Sequence, residues 1–194
     1  ATIEERGYSV NRGSKSALLV HLFKQHTWPA ALIFVATRDE ADNLVKRLVK
    51  AGFQAAALHG DKPQEERTLV LRRFASGELP LLVATDLAAR GLDIEALPLV
   101  INFSLPEAAS VYVHRIGRTG RAGREGLALS LISHGDLPAL AAIEALTGRP
   151  IPLQTLPEFP VTDTPAQASE RKRPPRDKQA NRRTAQKRSI KQFV

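Results

Sequence analysis

From Ala31 onward the chain alternates short apolar runs with longer amphipathic stretches, and this alternation restricts the fold more than any other feature. Residues 31–36, Ala-Leu-Ile-Phe-Val-Ala, form a continuous apolar run. A strand with one wet face would alternate, so this run reads as a strand buried on both faces. Thr37-Arg38-Asp39-Glu40 is a capping-box sequence that should start a helix. Leu44, Val45, Leu48 and Val49 give that helix one apolar stripe, and Gly52 should end it. Further strands are predicted at 53–58, 81–84, 99–103 and 127–132. Pro63 suits the first turn of a helix carrying Leu69, Val70, Leu71 and Phe74. Two more helices are predicted at 108–115 and 137–146. Strands alternating with helices of this length imply βαβ units, hence an α/β fold with a parallel sheet covered by helices on both faces. Residues 3–10 read as an extended lead-in and 16–24 as a short helix; Trp28, just ahead of a buried strand, is expected to pack. Ligands of such sheets bind beyond the carboxyl ends of the strands, where Thr37, His59, Thr85, Asp86 and Ser104 fall.

Composition narrows the class further. The 194 residues, 43% of them hydrophobic, suit one domain with length to spare. No apolar run approaches the roughly 20 residues of a membrane span, and there is no signal-peptide pattern, so a cytoplasmic protein without membrane contact is expected. There are no cysteines for disulfides or thiolate metal sites, and the five histidines are scattered, so no metal site is expected. Charge is unevenly placed. Residues 1–160 hold 18 Lys and Arg against 17 Asp and Glu, whereas residues 161–194 hold 10 against 3. From Val161 the apolar periodicity stops, and such a composition cannot bury enough surface to offset chain entropy. The expected organisation is a domain over 1–160 and a basic, disordered tail over 161–194. Residues 150–160 are left open between packing on the domain and leading away from it.

The stretch from His114 to Arg121 carries the clearest chemistry. It holds Arg115, Arg118 and Arg121 with glycines at 117 and 120. Guanidinium forks match phosphate oxygens, and glycine lets backbone turn and approach a ligand closely. A solvated basic loop is the competing reading. Gln64 and Arg67 lie three apart and so share a helical face, although Glu65 and Glu66 between them also suit a solvated one. For Asp93, which follows Arg90 and Gly91, a loop or helix cap is the competing reading, and for Thr85 it is the end of its strand. Gly13-Ser14-Lys15-Ser16 has a phosphate-loop flavour, but no strand or correctly spaced glycine precedes it; a helix N-terminus is expected there.

Ala84-Thr85-Asp86 with Ala89-Arg90-Gly91-Leu92-Asp93-Ile94, and the His114–Arg121 stretch, resemble motifs V and VI of the DEAD-box RNA helicases. Leu32–Thr37 resembles motif IV, and Gln64 with Arg67 the family's Q-x-x-R pair, all in the family's order. The resemblance runs from about residue 8 to about 149 and implies the C-terminal RecA-like domain. The phosphate loop G-x-x-x-x-G-K-[ST], Asp-Glu-Ala-Asp and Ser-Ala-Thr of an N-terminal RecA-like domain do not occur in this sequence. The resemblance further implies that Arg118 and Arg121 reach the γ-phosphate of ATP, held with Mg2+ mainly by that N-terminal domain. Asp93 would contact the ribose, and His114 would couple nucleotide state to domain closure. Thr85, the amides near Gly91, Gln64 and Arg67 would meet the RNA backbone. Arg115 is expected to pair with a carboxylate inside the domain, Arg90 to pair internally, and Arg124 to stay on the surface. The whole enzyme would be an RNA helicase hydrolysing ATP, and this chain alone inactive. Two rival readings remain: a non-catalytic RNA-binding or scaffold module working through its tail, and a fragment of a superfamily 2 motor acting on DNA. His114 at the head of motif VI speaks against the second. The tail, with its basic run Arg171–Lys191, is expected to bind nucleic acid by counterion release.

Overall fold

The computed structural model describes residues 2–164, so expectations for 165–194 lie outside the described residues. In chain order the elements are β1 (Ile3–Ser9), α1 (Lys15–Gln25), β2 (Ala31–Val35), α2 (Arg38–Lys50), β3 (Ala55–Leu58), α3 (Gln64–Ala75), β4 (Leu81–Thr85), α4 (Asp86–Ala89), β5 (Leu99–Asn102), α5 (Ala109–Ile116), β6 (Gly126–Ile132), α6 (Leu137–Thr147) and β7 (Leu153–Gln154). The strands form one sheet in the order β3-β4-β2-β5-β6-β1-β7, every pairing parallel. The expected RecA-like parallel sheet with helices on both faces is present.

Connection handedness sorts the helices. The steps β1 to β2 and β2 to β3 move one way along the sheet, and all later steps move the other way. Right-handed crossovers therefore place α1 and α2 on one face and α3 to α6 on the opposite one. Side-chain alternation agrees. Ile33, Val35, Leu81, Val83, Leu99, Ile101, Leu129 and Leu131 pack with Leu18, Leu22, Leu44 and Leu48 of α1 and α2. Their neighbours Leu32, Phe34, Leu82, Ala84 and Val100 pack under Val70 and Phe74 of α3 and Ala88 and Ala89 of α4. Tyr112 and Ile116 of α5 and Leu140 and Ile143 of α6 cover Ala128 and Ile132.

Local signals explain most boundaries. Thr37 caps α2 by accepting from the Glu40 N–H at 3.1 Å. The other half of the capping box is not made, because the Glu40 carboxylate accepts from the Ser104 hydroxyl instead. The predicted strand at 53–58 starts two residues late, at Ala55. Gly52 adopts φ 96°, its N–H bonds to Val49 O, and the Phe53 N–H bonds to Leu48 O. That Schellman stop uses Phe53 to end α2, and its ring packs beside Phe23, centroids 5.8 Å apart. Trp28 packs edge-on against Phe23, as expected.

Residues 3–9 are more than a lead-in: they form a full strand paired with β6 from Ile3 to Ser9. Residues 150–160 pack on the domain. Ile151 is buried with α5 and α6, Leu153 and Gln154 add β7 to β1, and Phe159 meets His21 of α1 edge-on at 5.5 Å. This strap covers an edge that would otherwise expose unpaired backbone. Its contacts continue past 160, because Asn11 Oδ1 accepts from the N–H groups of Thr162 and Asp163 at 2.9 and 3.0 Å. Among the described residues no helix is long and apolar enough to cross a membrane.

Candidate functional site

Parallel pairing dictates the site's layout. β4 ends at Thr85 and β5 begins at Leu99, so residues 86–98 must return from the carboxyl ends of the strands to the amino ends. They cross the sheet face that carries α3 to α6. The segment opens with a single helical turn, α4, which Thr85 caps by accepting from the Ala88 N–H at 3.4 Å. Gly91, at φ 75°, then turns the chain through a left-handed conformation in which a Cβ would be strained.

The segment after α5 runs alongside and is tied to the first at several points. Arg115, 2% exposed, donates Nε and Nη2 to the two Asp86 carboxylate oxygens, both at 2.7 Å. Its Nη1 donates to Asn102 Oδ1 at 3.1 Å and Ser104 O at 2.6 Å. Asn102 in turn donates to Ser130 Oγ at 3.2 Å, and the guanidinium lies over the Phe34 ring, 4.9 Å from its centroid. A buried guanidinium is tolerable only when its nitrogens find acceptors; four bonds engage all three of them here. The expected carboxylate partner of Arg115 is thus Asp86.

Farther along, Arg118 donates Nη1 to Leu92 O at 2.6 Å, with longer approaches to Ile94 O and Ala89 O. The Leu97 N–H bonds to Arg118 O at 3.0 Å, and the Thr119 hydroxyl donates to Leu97 O. Arg121, half-exposed, donates Nη1 to Glu95 Oε1 at 2.6 Å and Nε to Gly117 O at 2.9 Å. Gly126 supplies the floor of this turn: a Cβ there would lie 2.3 Å from Thr119 Oγ1 and 2.4 Å from Gly120 N.

His114 and Asp93 are exposed on the same strip, and neither side chain has a hydrogen-bond or ion-pair partner among the described residues. Asp93 therefore caps nothing. Arg90, expected to pair internally, is also exposed and without a side-chain partner among them. Arg124 is exposed, as anticipated.

The remaining candidates gather near the carboxyl ends of β3 and β4. Thr85 uses one hydroxyl lone pair on α4 and keeps its O–H free to donate. Gln64 opens α3 beside a shallow groove of about 270 Å³, lined also by Glu65, Thr68, Leu69 and Arg72. Gln64 Nε2 approaches Thr68 Oγ1 at 3.4 Å. Arg67 is half-buried, and its Nε is buried without a hydrogen-bond partner among the described residues. The loop ahead of α3 is fixed by His59. Its Nδ1 accepts the Asp61 N–H at 3.2 Å, so Nε2 carries the proton and donates to Asp42 Oδ1 at 2.9 Å. Arg38 pairs with Asp61 across the same loop. Lys15 opens α1, as its motif suggested, and its ammonium is buried against Asp136 at 2.9 Å and Phe103 O at 3.1 Å. It is unavailable to a phosphate.

Over residues 14–123 the chain matches the helicase conserved C-terminal domain. The fold superposes on the Escherichia coli DEAD-box protein SrmB, solved bound to regulator of ribonuclease activity A, with TM-score 0.79 and 37% identity, covering 85% of this chain and 98% of that one. The chain belongs to the DEAD-box helicases, as their C-terminal domain. The helicase domain is also similar to Saccharomyces cerevisiae Dbp5 bound to RNA and ADP BeF3, with TM-score 0.71 and 33% identity, covering 79% of this chain and 41% of that one. The ATP-dependent RNA helicase RhlB of Pseudomonas syringae pv. tomato is 43% identical over 155 residues, 80% of this chain and 39% of RhlB. The helicase domain thus spans well under half the length of that relative.

Sequence reasoning missed four participants. α4 is too short for any periodicity to reveal. Asn102 and Ser130 sit on neighbouring strands at paired positions, and their polar character inside apolar runs was the available signal. Glu95 carried none, since its importance rests on a contact with a residue 26 positions away.

Proposed function

We propose that this domain is the second half of an ATP-dependent RNA helicase, supplying Arg118 and Arg121 to the phosphates of ATP and part of the RNA groove. The observation that carries the reading is the strip formed by residues 86–98 and 114–124. Side by side it presents two guanidinium groups with the Asp93 carboxylate and the His114 imidazole, neither of which has a partner among the described residues. That donor set suits a nucleotide, with cations for phosphates and a carboxylate for ribose hydroxyls. The partner RecA-like domain would hold most of the nucleotide and its Mg2+. Closure would bring the phosphates against Arg118 and Arg121, whose fixed positive charge stabilises the charge developing in phosphoryl transfer. His114, exposed on the same strip, would report that closure across the cleft.

RNA would lie beyond the carboxyl ends of β3 and β4. Thr85 has an O–H free of partners among the described residues for a phosphate oxygen, the backbone at Gly91 is open to close approach, and at the start of α3 Gln64 is exposed while Arg67 is half-buried. Contacts of this kind read backbone and 2′-hydroxyls, so binding would be largely independent of sequence. A cytoplasmic site of action fits an RNA substrate. The scaffold reading gains no comparable support, because a scaffold has no use for a strip that converges arginines beside a free carboxylate.

The test is alanine substitution of Arg118 and of Arg121 in the protein carrying both RecA-like domains. Hydrolysis should fall by about 10³-fold or more, with RNA affinity in the absence of nucleotide retained. Hydrolysis at the unsubstituted rate would end this reading. The chain alone is expected not to hydrolyse ATP, and RNA-stimulated turnover by it would refute that point.

A further inference from the structure

Arg118 and Arg121 are held in different ways. Among the described residues Arg118 meets only neutral carbonyl oxygens, so none of them compensates its charge. Arg121 is neutralised, with Glu95 Oε1 2.6 Å from its Nη1. We propose that Glu95 is a positioning residue that keeps Arg121 withdrawn until nucleotide and partner domain arrive, and so lowers ATP hydrolysis in the absence of RNA. The inference rests on the reading that Arg121 serves the phosphates.

The argument is one of differential energy. A ligand shifts an equilibrium only by what distinguishes the two states. With the strip open, Glu95 is the sole carboxylate paired with Arg121 among the described residues, and the pair is favourable. With a polyphosphate against the strip, the same carboxylate would face oxygens of its own sign, and the guanidinium would have to exchange one anion for another. Glu95 therefore stabilises the open arrangement relative to the closed one. The side chains of Arg121 and Glu95 are 53% and 42% exposed. Water thus screens the contact, which sets a modest scale of about two- to fivefold in an equilibrium or rate. That scale suits a brake on idling turnover and is far too small to be a catalytic contribution.

Placement supports the assignment. Glu95 lies between Ile94, buried in the core, and Ala96, which is held at φ 57°. Leu97 then joins the Thr119 turn. The carboxylate is thus carried on a short stretch anchored at both ends, while Arg121 extends from a turn that includes Gly120, Ala122 and Gly123 at positive φ. Of the two partners, the arginine has the freer side chain to move away.

Glu95→Gln, which keeps the shape and removes the charge, should be compared with the unsubstituted protein and with Arg121→Ala, all with both RecA-like domains present. The expected result is a two- to fivefold rise in RNA-free ATP turnover, a smaller change at saturating RNA, and a gap between variant and parent that narrows as salt is raised. A fall or no change in RNA-free turnover, with Arg121→Ala inactive, would overturn the proposal and leave the function of Arg121 standing. A fall would mean that Glu95 aims the arginine instead of restraining it. Full activity of Arg121→Ala would instead remove the reading on which the proposal rests. A thermal melt checks folding of Glu95→Gln; should it fail, Glu95→Asp, which retracts the carboxylate by one methylene, must show the same rise or the proposal falls.

Discussion

Arg115 and Asp86 join the two functional segments through a two-point fork, with both N–H···O distances at 2.7 Å. One residue is buried on the last turn of α5 and the other opens α4, so the fork sets where the 114–124 stretch lies relative to 86–98. Removing the carboxylate would leave a buried guanidinium with only Asn102 and Ser104 as acceptors. Loss of one partner from a fully buried pair costs about 3–5 kcal/mol. Asp86 is itself 42% exposed, so Asp86→Ala should cost about 2–3 kcal/mol and lower Tm by about 5–10 °C. Arg115→Lys should be nearly as damaging, because a point ammonium cannot make the fork. Urea titration of the isolated domain measures both; a change below about 0.5 kcal/mol for Asp86→Ala would show that the fork does not hold the segments.

Gly126 touches the motif VI turn from below. A methyl group there would meet Thr119 Oγ1 and the Gly120 backbone at 2.3 and 2.4 Å, and backbone cannot step aside as a side chain can. Gly126→Ala should therefore lose about 1–3 kcal/mol and shift the turn carrying Arg121. In the two-domain protein, ATP turnover should fall more than RNA affinity. Equal losses in both would indicate general unfolding in place of a displaced turn.

Why some of this was legible in the sequence and some not follows from range. Buried strands such as residues 31–35 announce themselves because both faces are covered. Residues 3–9, Ile-Glu-Glu-Arg-Gly-Tyr-Ser, read as a lead-in because three charges break the pattern. They are a strand because Glu5 finds Tyr112 and Arg149 and because β7 and its strap cover the outer edge. Those partners lie more than a hundred residues away. The arginine-rich stretch was legible from residue type and spacing, and the individual arginine and aspartate candidates of motifs V and VI from the family resemblance. Their present partners were not, since Leu92 O, Asp86 and Glu95 come into reach only when the return segment crosses the sheet.

Acid should unlock the Lys15 contact. Burial alone would raise the Asp136 pKa, but the Lys15 ammonium and the bonds from Ser133 outweigh it and hold the carboxyl below its ordinary value. A depressed carboxyl contributes stability that is fully present above the unfolded pKa, about 3.9, and is lost as pH falls through the folded value. The domain should thus lose stability below about pH 4. Asp136→Asn should be less stable than the parent at pH 7, with the gap closing as pH falls below about 4. A pH-independent gap in urea midpoints would assign the loss to packing and not to the ionised carboxylate.

The strap gives the tail a defined point of departure. Asn11 binds the backbone of Thr162 and Asp163, and Arg12 N donates to the Asp163 carboxylate at 2.9 Å, just beyond the carboxyl end of β1. Ending the chain after Thr164 preserves these contacts, whereas ending it at 160 would remove them. Residues 165–194 hold 10 Lys and Arg against 2 Asp and Glu. If about 6 of those cations neutralise phosphates on single-stranded RNA, the salt slope of binding should be about −4. The chain ending at Thr164 should lose most of that slope while keeping its melting temperature. A fluorescent RNA titrated across a salt series measures this directly. A slope that survives the truncation would place the phosphate contacts on the domain itself, with Gln64, Arg67 and Thr85 the first residues to substitute.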